Sequence, residues 1–425
     1  MLGAELAWFL SQYVFPQVDV GPFPVRFLST SVLGALAIGF SRFGSRVDKR
    51  ARLCLFAWSV FLAFALVASL LNGNMLLTES TSLRSLASKF GVSTVVFMYL
   101  AFVPRTIRHF RYQLAFLLFW ALLNSVTAWG QFLGSDGAIA VQHLTQVENE
   151  EPISLARPSG ISATTVGCSY VTLCFGIAGS ACWVDVRTSR RVGWRAFARL
   201  LIALFLFVIC QAAAVPLLSR SSMVIGSGCS MAIGLVLMRS VVSGGVQPIL
   251  ALLIVVAAAG AAAQGLSEAV SQSQLGTSAY RLGDLQDADR WSLVQAALLA
   301  IEERPWFGGL QHAMRGPLQH GNTPHNMLLN AAVYYGIPAC MALVQFIVCV
   351  ATCSLRALSN GLSGPIGLMR SLVAVALLAY IGKGLVHNDG FGTGGIMGMM
   401  LLGMMLTPIK LASSPGRGVG RCTTS

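Results

Sequence analysis

Charge is what this chain lacks. Asp, Glu, Lys and Arg together make up 11% of its 425 residues, against 55% hydrophobic residues, and mean hydropathy is +0.70. A soluble fold of this length needs far more polar surface, so the composition excludes one. Acidic residues are the scarcer sign, 16 against 29 basic ones, for a formal net charge of +13. That excess does not indicate nucleic-acid binding, because the basic residues sit in short stretches between apolar runs. There is no C-x-x-C pair, and nine of the ten cysteines fall inside apolar segments. This excludes a disulfide framework and a thiolate metal site. No P-loop and no dinucleotide fingerprint occur, so nucleotide chemistry is not expected. The N-terminus lacks a basic n-region, and a cleaved signal peptide is not expected.

Long apolar runs are what the chain has. They fall near residues 25–40, 53–72, 86–104, 113–132, 161–183, 200–217, 222–238, 247–265, 325–355, 371–387 and 391–409, with lengths suited to crossing a bilayer. Residues 3–16 form a short extra helix at most. The expected fold is an all-α integral membrane protein with eleven or twelve transmembrane helices. One polytopic membrane domain covers residues 1–410. Residues 411–425, rich in Gly, Ser and Pro, read as a disordered cytoplasmic tail.

The Lys and Arg bias sets orientation. Arg42, Arg46, Lys49, Arg50 and Arg52, then Arg105, Arg108 and Arg111, then Arg187 to Arg199, mark alternate connections as cytoplasmic. These arginines read as topology signals; charges within the spans are almost absent, which favours an enzyme over a transporter. The opposite connections hold most acids, among them Glu148, Asp284, Asp287, Glu302 and Glu303. The longest polar interruption, residues 266–324, is therefore expected to be an extracytoplasmic loop carrying short helices.

Polar chemistry concentrates in that loop. Asp287 and Asp289 can cap a helix starting near Arg290. Trp291, Val294, Leu298 and Ile301 give it an apolar stripe, and Pro305 stops it. This predicts an amphipathic helix on the membrane surface, followed by the interfacial pair Trp306-Phe307 and a flexible Gly308-Gly309 turn. The next helix is expected to open with Thr323 as cap, Pro324 at its first position and His325 in its first turn. The positive end of the helix dipole keeps such an imidazole neutral, and the free amides there can hold an anion. Arg157 precedes another span on the same side, and Arg220 stands in the very short turn Ser219-Arg220-Ser221-Ser222. Arg157, Arg220 and Arg290 could converge on one anion, and the arginine fork suits a diphosphate.

Each of these residues also has a plainer role. His325 can be an interfacial helix cap, Arg220 a headgroup anchor, and Arg290 a partner of Asp287 or Glu303. Arg157, His312, Arg315 and His320 can be ordinary loop residues. Glu302 and Glu303 diverge by about 100° on a helix, so they read as a solvated helix end. Lys383 and Asp389 flank His387 near an outer helix end, where they either line the site or form an ion pair. Gly394-x-x-x-Gly398 permits close helix packing.

The chain resembles the O-antigen ligase and O-antigen polymerase family of bacterial envelope glycosyltransferases. The resemblance rests on Ser219-Arg220-Ser221, Arg290-Trp291, Pro305-Trp306-Phe307-Gly308, and His325-Asn326 followed by Tyr335-Gly336-Ile337-Pro338. Arg157-x-x-Gly160 is similar too. It covers roughly residues 115–355. It implies transfer of a glycan from undecaprenyl diphosphate to a sugar hydroxyl, on lipid A–core in ligases or on another lipid-linked glycan in polymerases. The site would face the periplasm from a multi-pass position in the inner membrane. It implies no metal and no cofactor. His325 would activate the acceptor hydroxyl, Arg220, Arg290 and Arg157 would hold the donor diphosphate, and Asn326 and Trp291 would support them. Partners would be the lipid-linked donor, the glycan acceptor and membrane lipids, with no nucleic acid. Two rivals stand beside it: a lipid or solute transporter, and a non-catalytic subunit of a polysaccharide export complex.

Overall fold

The computed structural model describes residues 2–13, 19–20, 23–42, 48–72, 86, 90–145, 158–162, 164–183, 194–217, 219–241, 288–309, 324–360, 365–387, 390–391 and 395–410. Helices dominate among these. Leu2–Tyr13 (α1), Val25–Arg42 (α2), Lys49–Leu71 (α3), Val92–Phe102 (α4), Ile107–Phe132 (α5) and Asp136–Thr145 (α6) form the first half. A compound helix follows. It comprises Thr165–Tyr170 (α7), a π-helical stretch Val171–Phe175, Gly176–Ser180 (α8) and a 3₁₀ turn Ala181–Trp183. Then come Trp194–Ala212 (α9), Arg220–Val241 (α10), Ala288–Glu303 (α11), Met327–Asn360 (α12), Pro365–Val386 (α13) and Ile396–Leu406 (α14). Two short strand pairs complete the description: Asp19–Val20 against Phe23–Pro24, antiparallel, and Arg105–Thr106 against Ile409–Lys410, parallel.

Five described helices are long and apolar enough to cross a membrane: Lys49–Leu71, Ile107–Phe132, Thr165–Trp183, Met327–Ser359 and Ile366–Val386. Shorter apolar helices cover Ser29–Gly39, Val92–Phe102 and Ile396–Leu406. The chain is thus an all-α membrane protein. The expected span at 247–265, most of the loop at 266–324 and the tail at 411–425 lie outside the described residues.

Side-chain oxygens start the helices where sequence provides them. Asp48 accepts from the Arg50 amide at 2.9 Å, and Thr106 accepts from the His109 amide at 3.2 Å, each replacing a backbone partner the first turn lacks. The centre is aromatic. Trp58 stacks at 5.0 Å on Phe346 and 5.3 Å from Phe61, and Phe391 meets Phe346 at 5.0 Å. Small residues let backbones close in. A Cβ on Gly179 would stand 2.5 Å from the Leu118 amide, and one on Gly398 would stand 2.4 Å from the Tyr380 ring. Gly398 thus has the packing role expected of it; Gly394 lies outside the described residues.

One sequence expectation about charge needs correction. Arg105 is not a free topology marker, being 2% exposed. It donates to the carbonyls of Leu100 and Val103 at 2.8 and 2.9 Å and pairs with Glu5 at 3.1 Å. The end of α4 leaves carbonyls unpaired, and a guanidinium with five donors satisfies them where water cannot reach. Lys383 is fully buried in the last turn of the candidate span Ile366–Val386, near the helix end where the sequence places it.

Candidate functional site

The start of α12 is organised by Asn326. Its side-chain oxygen accepts from the amides of Leu328 and Leu329 at 2.8 and 3.1 Å, and its side-chain nitrogen donates to the Leu385 carbonyl at 2.9 Å. Asn326 is therefore the N-cap, and it also ties α12 to the end of α13. This corrects the expected cap at Thr323, first position at Pro324 and first-turn place for His325. An asparagine oxygen that reaches two orphan amides fixes the start at Met327, and His325 stands just outside the helix. Two of the amides expected to hold an anion are already taken by that cap.

The His325 ring meets the His387 ring edge-on, with centroids 6.0 Å apart and planes at 87°. His387, just beyond α13, shares a 2.9 Å hydrogen bond between its Nε2 and the Ser221 hydroxyl. Lys383 is four residues earlier, so it occupies the same helix face. Its ammonium donates to the hydroxyls of Ser222, at 2.5 Å, and Ser169, and lies 4.5 Å from the centre of the Tyr170 ring. Ser219 donates to Ser222 at 3.0 Å. A fully buried ammonium must replace its hydration shell. Here two hydroxyls and one aromatic face supply that replacement. Directly after Tyr170 the helix widens into the π-helical turn, a deviation frequent at functional sites.

A second polar knot holds the segment at Ser159 and Gly160 to the end of α5. The Gln131 oxygen accepts from both amides at 2.9 Å, and its nitrogen donates to the Gly160 carbonyl at 2.8 Å. The Asn124 oxygen accepts from the Ile161 amide and the Ser162 hydroxyl at 3.1 and 3.0 Å. Gly160 has φ +63°, and a Cβ there would lie 2.6 Å from the Cys168 sulfur. The glycine of Arg157-x-x-Gly160 is thus required by packing.

The motif pairs of the loop and α12 also meet. Helix α12 breaks at Gly336, whose φ of 86° is non-helical. The released Ile337 amide donates to the Pro305 carbonyl at 2.7 Å, and the Gly309 amide donates to the Val333 carbonyl at 3.0 Å. A Cβ on Gly336 would lie 2.2 Å from the Trp306 carbonyl oxygen, and one on Gly308 would lie 2.5 Å from that of Val333. Asn72 adds a 2.9 Å bond to the Phe307 carbonyl. Gly308-Gly309 is therefore a docked turn, which corrects the expectation of a flexible one.

Helix α11 sits against α12 through its small residues. Ala297 packs on Val333, flanked by Leu293, Ala296, Ala300 and Ile301. Trp291 and Leu298, two members of the predicted stripe, are 63% and 47% exposed. Alanines permit the closer approach to α12, leaving Trp291 and Leu298 outward. Glu302 and Glu303 are exposed at the helix end.

The candidate residues divide as follows. His325 and Asn326 lie together, and His387 links His325 to the serines that follow Arg220. The backbone of Arg220 opens α10 and that of Arg290 lies in the first turn of α11; the side chains of both lie outside the described residues. Arg157, Asp287, His312, Arg315, His320, Thr323 and Asp389 also lie outside them. Lys383, Ser169, Ser222 and His387 carry the geometry, and sequence reading gave them little weight. The available signal was a lone lysine in an apolar run with a histidine four residues later. Neither a protein-family model nor a curated protein sequence matches this chain.

Proposed function

We propose that the protein transfers a glycan from undecaprenyl diphosphate to a sugar hydroxyl, as a ligase or polymerase resembling the O-antigen ligase and polymerase family, on the periplasmic face of a bacterial inner membrane. One observation carries this reading. His325, His387, Lys383 and the serine turn that opens at Arg220 gather at one end of a bundle of apolar helices. A polar cluster at the end of apolar helices supports a site where a lipid-borne diphosphate and a water-borne sugar hydroxyl can meet.

In this reading His325 takes the proton of the acceptor hydroxyl, whose oxygen attacks the anomeric carbon of the donor sugar. The bond from that carbon to the diphosphate breaks, and the electron pair leaves with the lipid diphosphate. Arg220, Arg290 and Arg157 hold that developing charge, the role a metal plays in other glycosyl transfers. Asn326 fixes the backbone beside His325, and the exposed Trp291 sits among lipid headgroups. The acceptor is lipid A–core or a second lipid-linked glycan.

Deleting the gene and separating surface glycans on gels tests the reading. Accumulated lipid-linked polymer marks a ligase, single repeat units on the acceptor mark a polymerase, and an unchanged pattern refutes both. The fully buried Lys383 favours one other class, a transporter for an anionic lipid or solute. Uptake by vesicles holding the purified protein, with no glycan transfer, would establish that class instead.

A further inference from the structure

Lys383 and His387 present one face of α13 to the first turn of α10. Each takes one of two successive hydroxyls: Lys383 takes Ser222 and His387 takes Ser221. The turn behind them is braced by Ser219 on Ser222, and Lys383 extends to Ser169 and Tyr170 on the compound helix. Three segments of the chain are thereby pinned around the residue that starts α10, which is Arg220. Nothing comparable is needed for packing alone, because buried hydroxyl–ammonium contacts cost more desolvation than an apolar contact of the same shape.

We propose that Lys383 and His387 are positioning residues for anion binding: they fix the Arg220 turn in the orientation that accepts a lipid diphosphate. This rests on the functional reading above and adds residues that the family resemblance does not supply. A positioning role makes two demands. Affinity for the diphosphate must fall when the grip on either serine is released, and releasing both ends of one contact must cost no more than releasing one.

The test measures binding of undecaprenyl diphosphate to the purified full chain in detergent or nanodiscs, with thermal stability followed in parallel. Lys383→Met and Ser222→Ala are each expected to weaken binding about tenfold, the scale of one charge-assisted hydrogen bond. The double variant is expected to bind no worse than Lys383→Met. His387→Ala should weaken binding, while His387→Gln, which can still hydrogen-bond to Ser221, should retain most of it. Val373→Ala, a core change on the same helix, should lower thermal stability but leave affinity unchanged. Wild-type affinity in Lys383→Met overturns the positioning role while leaving the functional reading intact, as does an equal loss in Val373→Ala. A wild-type protein that binds no undecaprenyl diphosphate overturns the functional reading and this inference with it.

Discussion

The Nε2 of His387 lies 2.9 Å from the hydroxyl of Ser221, while its ring meets that of His325 edge-on at 6.0 Å. One imidazole therefore joins the two sequence motifs, Ser219-Arg220-Ser221 and His325-Asn326, that lie about a hundred residues apart in the chain. This contact is the physical basis for treating them as parts of one site.

Replacing His325 by Ala should remove the base while leaving the fold intact, because Asn326 caps α12 and His325 stands outside it. We expect glycan transfer to fall by about 10²–10⁴-fold, with insertion and yield at wild-type level. The comparison is transfer by equal amounts of purified protein.

Arg220→Ala should abolish transfer, and Arg290→Lys should keep only part of it. An ammonium carries the charge but not the planar fork that grips two phosphate oxygens. Full activity in Arg290→Lys would argue against a bidentate contact between this residue and a diphosphate.

Gly336→Ala should destabilise the protein without touching the polar site. A Cβ there meets the Trp306 carbonyl at 2.2 Å, and the positive φ alone costs on the order of 1–3 kcal/mol. Thermal unfolding in detergent should show a marked drop. Asn326→Ala should cost about 0.5–2 kcal/mol through the lost cap, together with the tie to Leu385.

Acid should loosen the docking of α1. Burial alone would raise the Glu5 carboxyl, but the His109 hydrogen bond and the Arg105 charge outweigh it and hold the group down at about 2. Its folded value lies below the ordinary 4.5. The stabilisation is then complete above about 4.5 and is lost as pH falls toward about 2. Glu5→Gln should be less stable than wild type at neutral pH, and the gap should shrink through that acid window. An unchanged gap would contradict this ion pair.

Much of the architecture was legible in the sequence, because long apolar runs have few alternatives to helices in a membrane. The runs at 53–72, 113–132, 161–183, 325–355 and 371–387 all became described helices of spanning length. The start of α12 was misread by three residues. Thr323-Pro324 is a good local signal, but it carries no information about Leu385, whose carbonyl recruits Asn326. The stripe on α11 divides: Ile301 packs beside α12 while Trp291 and Leu298 stay exposed, because periodicity identifies an apolar face without saying what covers each residue. Arg105 and Lys383 were undervalued for one shared reason. A charge between or inside apolar runs reads as a boundary until its partners, Glu5 or Ser169 and Ser222, are brought in from distant segments.

The central claim is that this polar cluster carries out glycan transfer from a lipid diphosphate. The most direct measurement mixes purified protein in nanodiscs with an undecaprenyl-diphosphate-linked glycan and a sugar acceptor, and follows product formation and released lipid diphosphate together. The account predicts equal amounts of both from the wild type and about 10²–10⁴-fold less of each from His325→Ala. Equal product from both proteins, or none from a folded wild type given lipid A–core and lipid-linked acceptors in turn, would contradict it.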